Sequence, residues 1–253
     1  MFKFVDSHTH AVMVPYAGFQ AMADGGVEAA ISCSVLIEAR HAESYFDHFR
    51  VNTGFYRKVA ASVGLKLLFA AGVHPLGIPG DWTQVVDRLP EFLAEEGTVA
   101  IGEIGMNQAS SLEQDVLRAQ LEVARDAGYP VILHTPKENR EFVVGKLLEI
   151  AARVGNKPES LIIDHANVDI IKQINDFGAV PGLTIRRQGF TPEVLCDNLE
   201  LFAGGVLNSD YSNVMPNDPA AVIWAVDIMR ARGVDSAVAA EMAGNRARRI
   251  FGL

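Results

Sequence analysis

Cysteine is scarce in this chain. Two occur in 253 residues, Cys33 and Cys196, too few for a disulfide framework. Cys33 falls in the apolar run "AAISCSVLI", where a core thiol is expected. Positive charge is also short: 22 Lys and Arg stand against 31 Asp and Glu, a formal net charge of −9. Without a basic stripe, a grip on extended nucleic acid is not expected. Short DNA ends and small phosphate-bearing molecules remain admissible, because a bound cation reverses the local sign. No run approaches the roughly 18 apolar residues of a membrane span. The opening from Met1 to Pro15 lacks a basic region followed by a long apolar core, so no secretory signal is expected and the cytoplasm is the expected compartment. There is no Pro/Gly/Ser-rich linker, low-complexity stretch or internal repeat. The expectation is one domain over residues 1–253.

What is present is an ordinary globular composition, 49% hydrophobic and 21% charged. Eight short β-rich runs recur: Phe2–Asp6, Ala29–Ile37, Leu67–Val73, Val99–Glu103, Val131–His134, Leu161–Asp164, Pro181–Ile185 and Val206–Asp210. Helical patterns separate most of them. Leu112, Leu117, Leu121 and Ala124 share one face between Ser110 and Ala127, and Ser110 with Glu113 spells a capping box. A second amphipathic stretch runs from Glu138 to Val154. Weaker ones run over Glu43–Ala61, Trp82–Glu96, Val168–Phe177 and Thr191–Leu199, and the chain ends in Pro219–Arg232 and Asp235–Phe251. Such alternation means parallel βαβ units. It fits a TIM-type (β/α)8 barrel or a doubly wound open sheet.

The reactive residues separate the two. In a barrel, catalytic groups gather at the C-terminal ends of several strands. His8 and His10 close the first run, His74 the third, Glu103 the fourth, His134 the fifth, His165 the sixth and Asp210 the eighth. Of seven histidines, only His41 and His48 lie elsewhere. The expected fold is therefore the TIM-type (β/α)8 barrel.

Two histidines at i and i+2 on a strand point to one face, so His8 and His10 can hold one cation together. Neutral imidazoles suit zinc and its neighbours, while carboxylates also admit magnesium or manganese. Glu103, between Gly102 and Gly105, is placed to bridge two cations. His134 and His165 then supply the second, and Asp210 completes the first and holds the attacking water. Each residue has a bland alternative, such as a hydrogen-bonded structural histidine or, for Asp210, a helix cap. Six such polar groups buried at strand ends without a shared purpose would be costly.

The motifs "DSHTH", "GVHP", "GEIGMN", "PVILHTP" and "NSDYS", in that order, resemble the TatD-like branch of the metal-dependent amidohydrolase superfamily. The resemblance spans nearly the whole chain and includes "EQDVLRAQLEVARDAGYPVILH", the helix leading into the fifth strand. It implies a centre of two divalent cations (Zn, Mg or Mn) ligated by His8, His10, Glu103, His134, His165 and Asp210, with Glu103 as the bridge. Three departures stand out. Asn107 occupies a place where better-known members carry aspartate. "HTPKENR", with Pro136, lacks their arginine after the fifth-strand histidine. "IDHAN" replaces their usual His-Cys-Phe-Ser-Gly stretch. "GLTIRRQGFTPE" resembles an archaeal-type subgroup.

The expected catalytic groups are Asp210, which takes the proton of the attacking water and passes it to the leaving group, and Glu103. Expected substrate contacts are His74, Arg186, Arg187 and Lys137, with Arg140 a weaker candidate and "YSNVMPND" an active-site loop. Asp6 is expected deeper in the first strand, orienting an imidazole. The expected reaction is hydrolysis of a phosphoester, in a phosphodiesterase or DNase-like manner. The alternatives are hydrolysis of a C–N or C–O bond in a cyclic amide, lactone or ester, and a binding protein without turnover.

Overall fold

The computed structural model describes residues 3–213 and 217–253. Phe2, expected to open the first strand, and Val214–Pro216 of the loop after Asp210 lie outside the described residues. The eight strands are β1 (Phe4–Thr9), β2 (Val27–Cys33), β3 (Lys66–Ala71), β4 (Thr98–Gly105), β5 (Val131–His134), β6 (Leu161–Ile163), β7 (Val180–Thr184) and β8 (Val206–Asn208). They pair in sequence order and in parallel. A bridge between Thr9 and Tyr211 joins the last strand's exit to the first strand. Asp210 N–H donates to His8 O at 2.9 Å and His10 N–H to Tyr211 O at 3.0 Å, so the sheet closes as a TIM-type barrel.

Two apolar layers hold it. Val5, Ile31, Leu68, Ala100, Ile132, Ile162, Val180 and Val206, one from each strand, fill the interior with Phe251 of the last helix. The opposite faces of the strands bury against the helices, where Phe49 meets Phe92 edge-on at 5.0 Å and Phe46 stacks on Phe92 at 5.6 Å. Each such side chain taken from water contributes about 1.5–3 kcal/mol. With apolar residues packing the barrel's interior, the polar strand ends are left for a site.

The capping box forms as its spacing predicts: Glu113 N–H reaches Ser110 Oγ while the Glu113 carboxylate accepts from Ser110 N. Strand ends differ from the pattern where the backbone turns. His165 and Asp210 take left-handed φ of 56° and 46°, so β6 and β8 stop before them. The helix Tyr16–Asp24 is absent from the periodicity reading because it is only nine residues long, holds an interior glycine and begins without a side-chain cap. Gly18 is needed there, since a Cβ would come within 2.6 Å of the Tyr211 ring.

Candidate active site

His8 and His10 present bare nitrogens to each other, and their other nitrogens explain why. His10 Nδ1 lies 3.1 Å from the carbonyl of Cys33, which only accepts, so the proton sits on Nδ1. His8 Nδ1 donates to the buried carboxylate of Asp164. In the neutral rings both Nε2 lone pairs then face inward, 3.2 Å apart. Asp210 Oδ1 lies 3.2 Å from His10 Nε2, and Glu103 Oε2 lies 3.4 Å from His8 Nε2. Four acceptors converge with no hydrogen among them, an arrangement that repels unless a cation or a proton enters. The donor set therefore fits a divalent cation.

Glu103 reaches the other side with its second oxygen. His134 Nδ1 stands 2.9 Å and His165 Nε2 3.3 Å from Glu103 Oε1. His165 Nδ1 is held by Thr184 Oγ1 at 2.8 Å, and His134 Nε2 by Asn107 Oδ1 at 3.0 Å. With a proton on Nε2, His134 offers its Nδ1 lone pair toward Glu103. Burial works against a charged Glu103, but His8 and His134 with the surrounding hydrogen bonds pull its pKa well below the usual range. Asp210 is likewise lowered: burial is outweighed by the nearby imidazoles of His10, His165 and His8.

Ligand atoms of His8, His10 and Asp210 lie within 4.8 Å of one another, as do those of His74, Glu103 and His134. His74 is set apart by its tautomer. Its Nδ1 accepts from Leu76 N–H at 3.1 Å, which puts the proton on Nε2, 3.5 Å from Glu103 Oε2. It steadies Glu103 by donation rather than offering a lone pair. Burial pushes its pKa down to about 4, so the ring is neutral.

The six expected ligands and His74 thus meet around Glu103. Arg186 Nη2 donates to Asp210 Oδ2 at 2.8 Å and lines the pocket of about 470 Å³ above the centre, as do Lys137 and Arg140. Arg140 folds back to the carbonyl of Pro136, Nε to O 2.5 Å, bringing a guanidinium to a loop whose sequence departs from the family pattern. Two expectations are corrected. Arg187 does not face the mouth: it is exposed, pairs with Asp218 at 2.6 Å and lies over Trp224. Asp6 orients no imidazole. Its Oδ1 accepts from the backbone N–H of Ser209 and His8, tying β1 to β8, and burial pushes its pKa up to about 6.

Asp164 orients His8 instead, a role the sequence reading overlooked. Asn208 Nδ2 and His165 N–H also donate to it, and Gly182 makes its space, since a Cβ there would lie 2.3 Å from Asp164 Oδ1. The available signal was the Asp-His pair in "LIIDHAN" at a strand end. Glu113 was seen only as a cap. It also accepts from Asn107 and Gln108 N–H, holding the loop that aims Asn107 at His134.

Residues 5–189 match the sequence profile of the family described as TatD related DNase. Over 183 residues the chain is 34% identical to an uncharacterized metal-dependent hydrolase of Methanocaldococcus jannaschii, a match covering 72% of each chain. The TatD-like protein from Archaeoglobus fulgidus superposes with a TM-score of 0.85 at 26% identity, over 99% of this chain and 100% of that one. The phosphotriesterase homology protein from Escherichia coli, solved with phosphate in its active site, gives a TM-score of 0.74 at 16% identity over 99% of each chain. The last likeness is one of fold alone.

Proposed function

The chain belongs to the TatD family, and from that premise we propose that it is a hydrolase that uses two divalent cations, zinc, magnesium or manganese, to cleave a phosphoester. The observation that carries this reading is the nest of His8 Nε2, His10 Nε2, Asp210 Oδ1 and Glu103 Oε2, whose protons are all held elsewhere. His8, His10 and Asp210 would hold one cation and His134 and His165 the other, with Glu103 offering an oxygen to each group. When bound, the cations lower the pKa of a nearby water toward neutrality and polarise the scissile group.

The remaining steps belong to the chain. Asp210 takes the water's proton on the open lone pair of Oδ2 and returns it to the leaving oxygen. Arg186, on the same Oδ2, fixes that carboxylate in place. His74 donates to Glu103 and limits its rotation. Arg186, Arg140 and Lys137 favour an anionic ester over a neutral amide. A second reading, hydrolysis of a C–N or C–O bond in a cyclic amide, lactone or ester, is favoured by the apolar wall of Met13, Val35, Ile37 and Leu76. A pocket of this size takes a small molecule or a short phosphoester end. Metal analysis of the purified protein, followed by turnover of bis-p-nitrophenyl phosphate beside a panel of lactones and amides, tests both. Metal-dependent cleavage of the diester is expected. Turnover confined to lactones or amides would favour the second reading, and no metal with no turnover would overturn both.

A further inference from the structure

The barrel mouth is chemically two-sided. Met13, Val35, Ile37 and Leu76 come from the loops after β1, β2 and β3, whereas Lys137, Arg140 and Arg186 come from those after β5 and β7. In a closed sheet of eight strands in sequence order, strands 1–3 and 5–7 lie across from each other. Glu103 on β4 and Asp210 after β8 stand between the two sectors.

A side cavity of about 400 Å³ opens from the cationic sector, beneath the loops after β6 and β7. Lys137, Arg140 and Arg186 are shared with the main pocket, and Thr184 and Gln188 add polar groups. No acidic residue among the described residues lines it. Arg140 spends its bonds on two carbonyls, Pro136 O and His165 O at 3.2 Å, and no carboxylate among the described residues pairs with it. Arg186 Nε is buried without a hydrogen-bond partner among the described residues. Two neighbouring guanidiniums with donors unspent beside a cavity free of carboxylates are what an anion would satisfy.

We propose that this side cavity is a subsite for a second anionic group of the substrate, a phosphate or a carboxylate set apart from the scissile bond. The substrate class is then a small molecule with an anionic arm on one side of that bond and an apolar arm on the other. The inference rests on the reading of the Glu103 centre as the hydrolytic one.

Non-hydrolysable probes test it without turnover. Calorimetry on the metal-loaded protein compares alkylphosphonates with phosphonates of equal length that end in a carboxylate, with two to five carbons between the groups. At one spacing the carboxylate is expected to tighten binding at least tenfold, and Lys137→Met and Arg140→Gln are each expected to remove that gain while leaving metal content unchanged. Lys137 makes no side-chain hydrogen bond among the described residues, so its variant stands even if Arg140→Gln, which loses two bonds to carbonyls, folds poorly. No binding, equal binding within every pair, or a gain that survives in the variants overturns the subsite. Turnover of a singly charged ester by the same preparation would then leave the proposed function standing. A tenfold gain without turnover of any phosphoester would support the subsite and overturn that function.

Discussion

His134 Nε2 lies 3.0 Å from Asn107 Oδ1, and Asn107 is itself held by the Glu113 carboxylate through its backbone N–H at 2.8 Å. The asparagine that departs from the family pattern thus accepts the proton that frees the other side of the His134 ring. Asn107→Ala is expected to weaken the cation site at His134 and His165 by about 10–100-fold, the usual effect of removing such a support. Asn107→Asp is expected to retain it. Metal titration of the two variants checks this, and unchanged affinity in Asn107→Ala would show that the bond is idle.

Asp164 is expected to matter as much for the other pair. Asp164→Asn removes the carboxylate that fixes the His8 proton and is expected to lower metal affinity by a similar 10–100-fold or so. Gly182→Ala, which touches no proposed ligand, should do the same by crowding Asp164. Metal content after dialysis against a graded chelator reads both variants.

Asp210→Asn removes both a proposed ligand oxygen and the proposed proton acceptor. Loss of kcat by about 10²–10⁴-fold, with lower metal content, is the expected outcome. If neither activity nor metal content changed, the role given to Asp210 would be wrong.

His48 supplies a pH dependence away from the centre. Its ring is buried beside Phe49 and Phe69, and burial lowers its pKa to about 4. An unfolded histidine titrates near 6.5. Between those values the unfolded chain binds more protons, so the contribution is intact above about pH 6.5 and is lost as pH falls toward 4, amounting to about 3 kcal/mol. Urea unfolding of the wild type and His48→Gln across that range is expected to show the steeper acid loss in the wild type.

The barrel could be read from periodicity because eight β-rich runs alternate with helical faces, and the candidate ligands because histidine at a strand end is conspicuous. Their supports were harder to see. The bond from Asp164 to His8 spans 156 residues, and the Asp-His pair in "LIIDHAN" marks a polar strand end without naming the distant imidazole it serves. Arg186 and Arg187 are adjacent and alike in composition; only the chain's path after β7 sends one to Asp210 and the other to Asp218. Asp6 shares the spacing of His8 and His10, but its carboxylate is taken by backbone N–H groups, including that of Ser209 on the far side of the seam.

That seam has a consequence for assembly. Thr9 Oγ1 bonds to Tyr211 O across 202 residues, and beside it Asp210 N–H meets His8 O. The first two proposed ligands therefore take their carboxylate partner from some 200 residues further along the chain. A chain that stops before β8 carries five of the six proposed ligands but lacks Asp210, the proposed base. Both edges of the sheet must be made before the proposed centre can assemble.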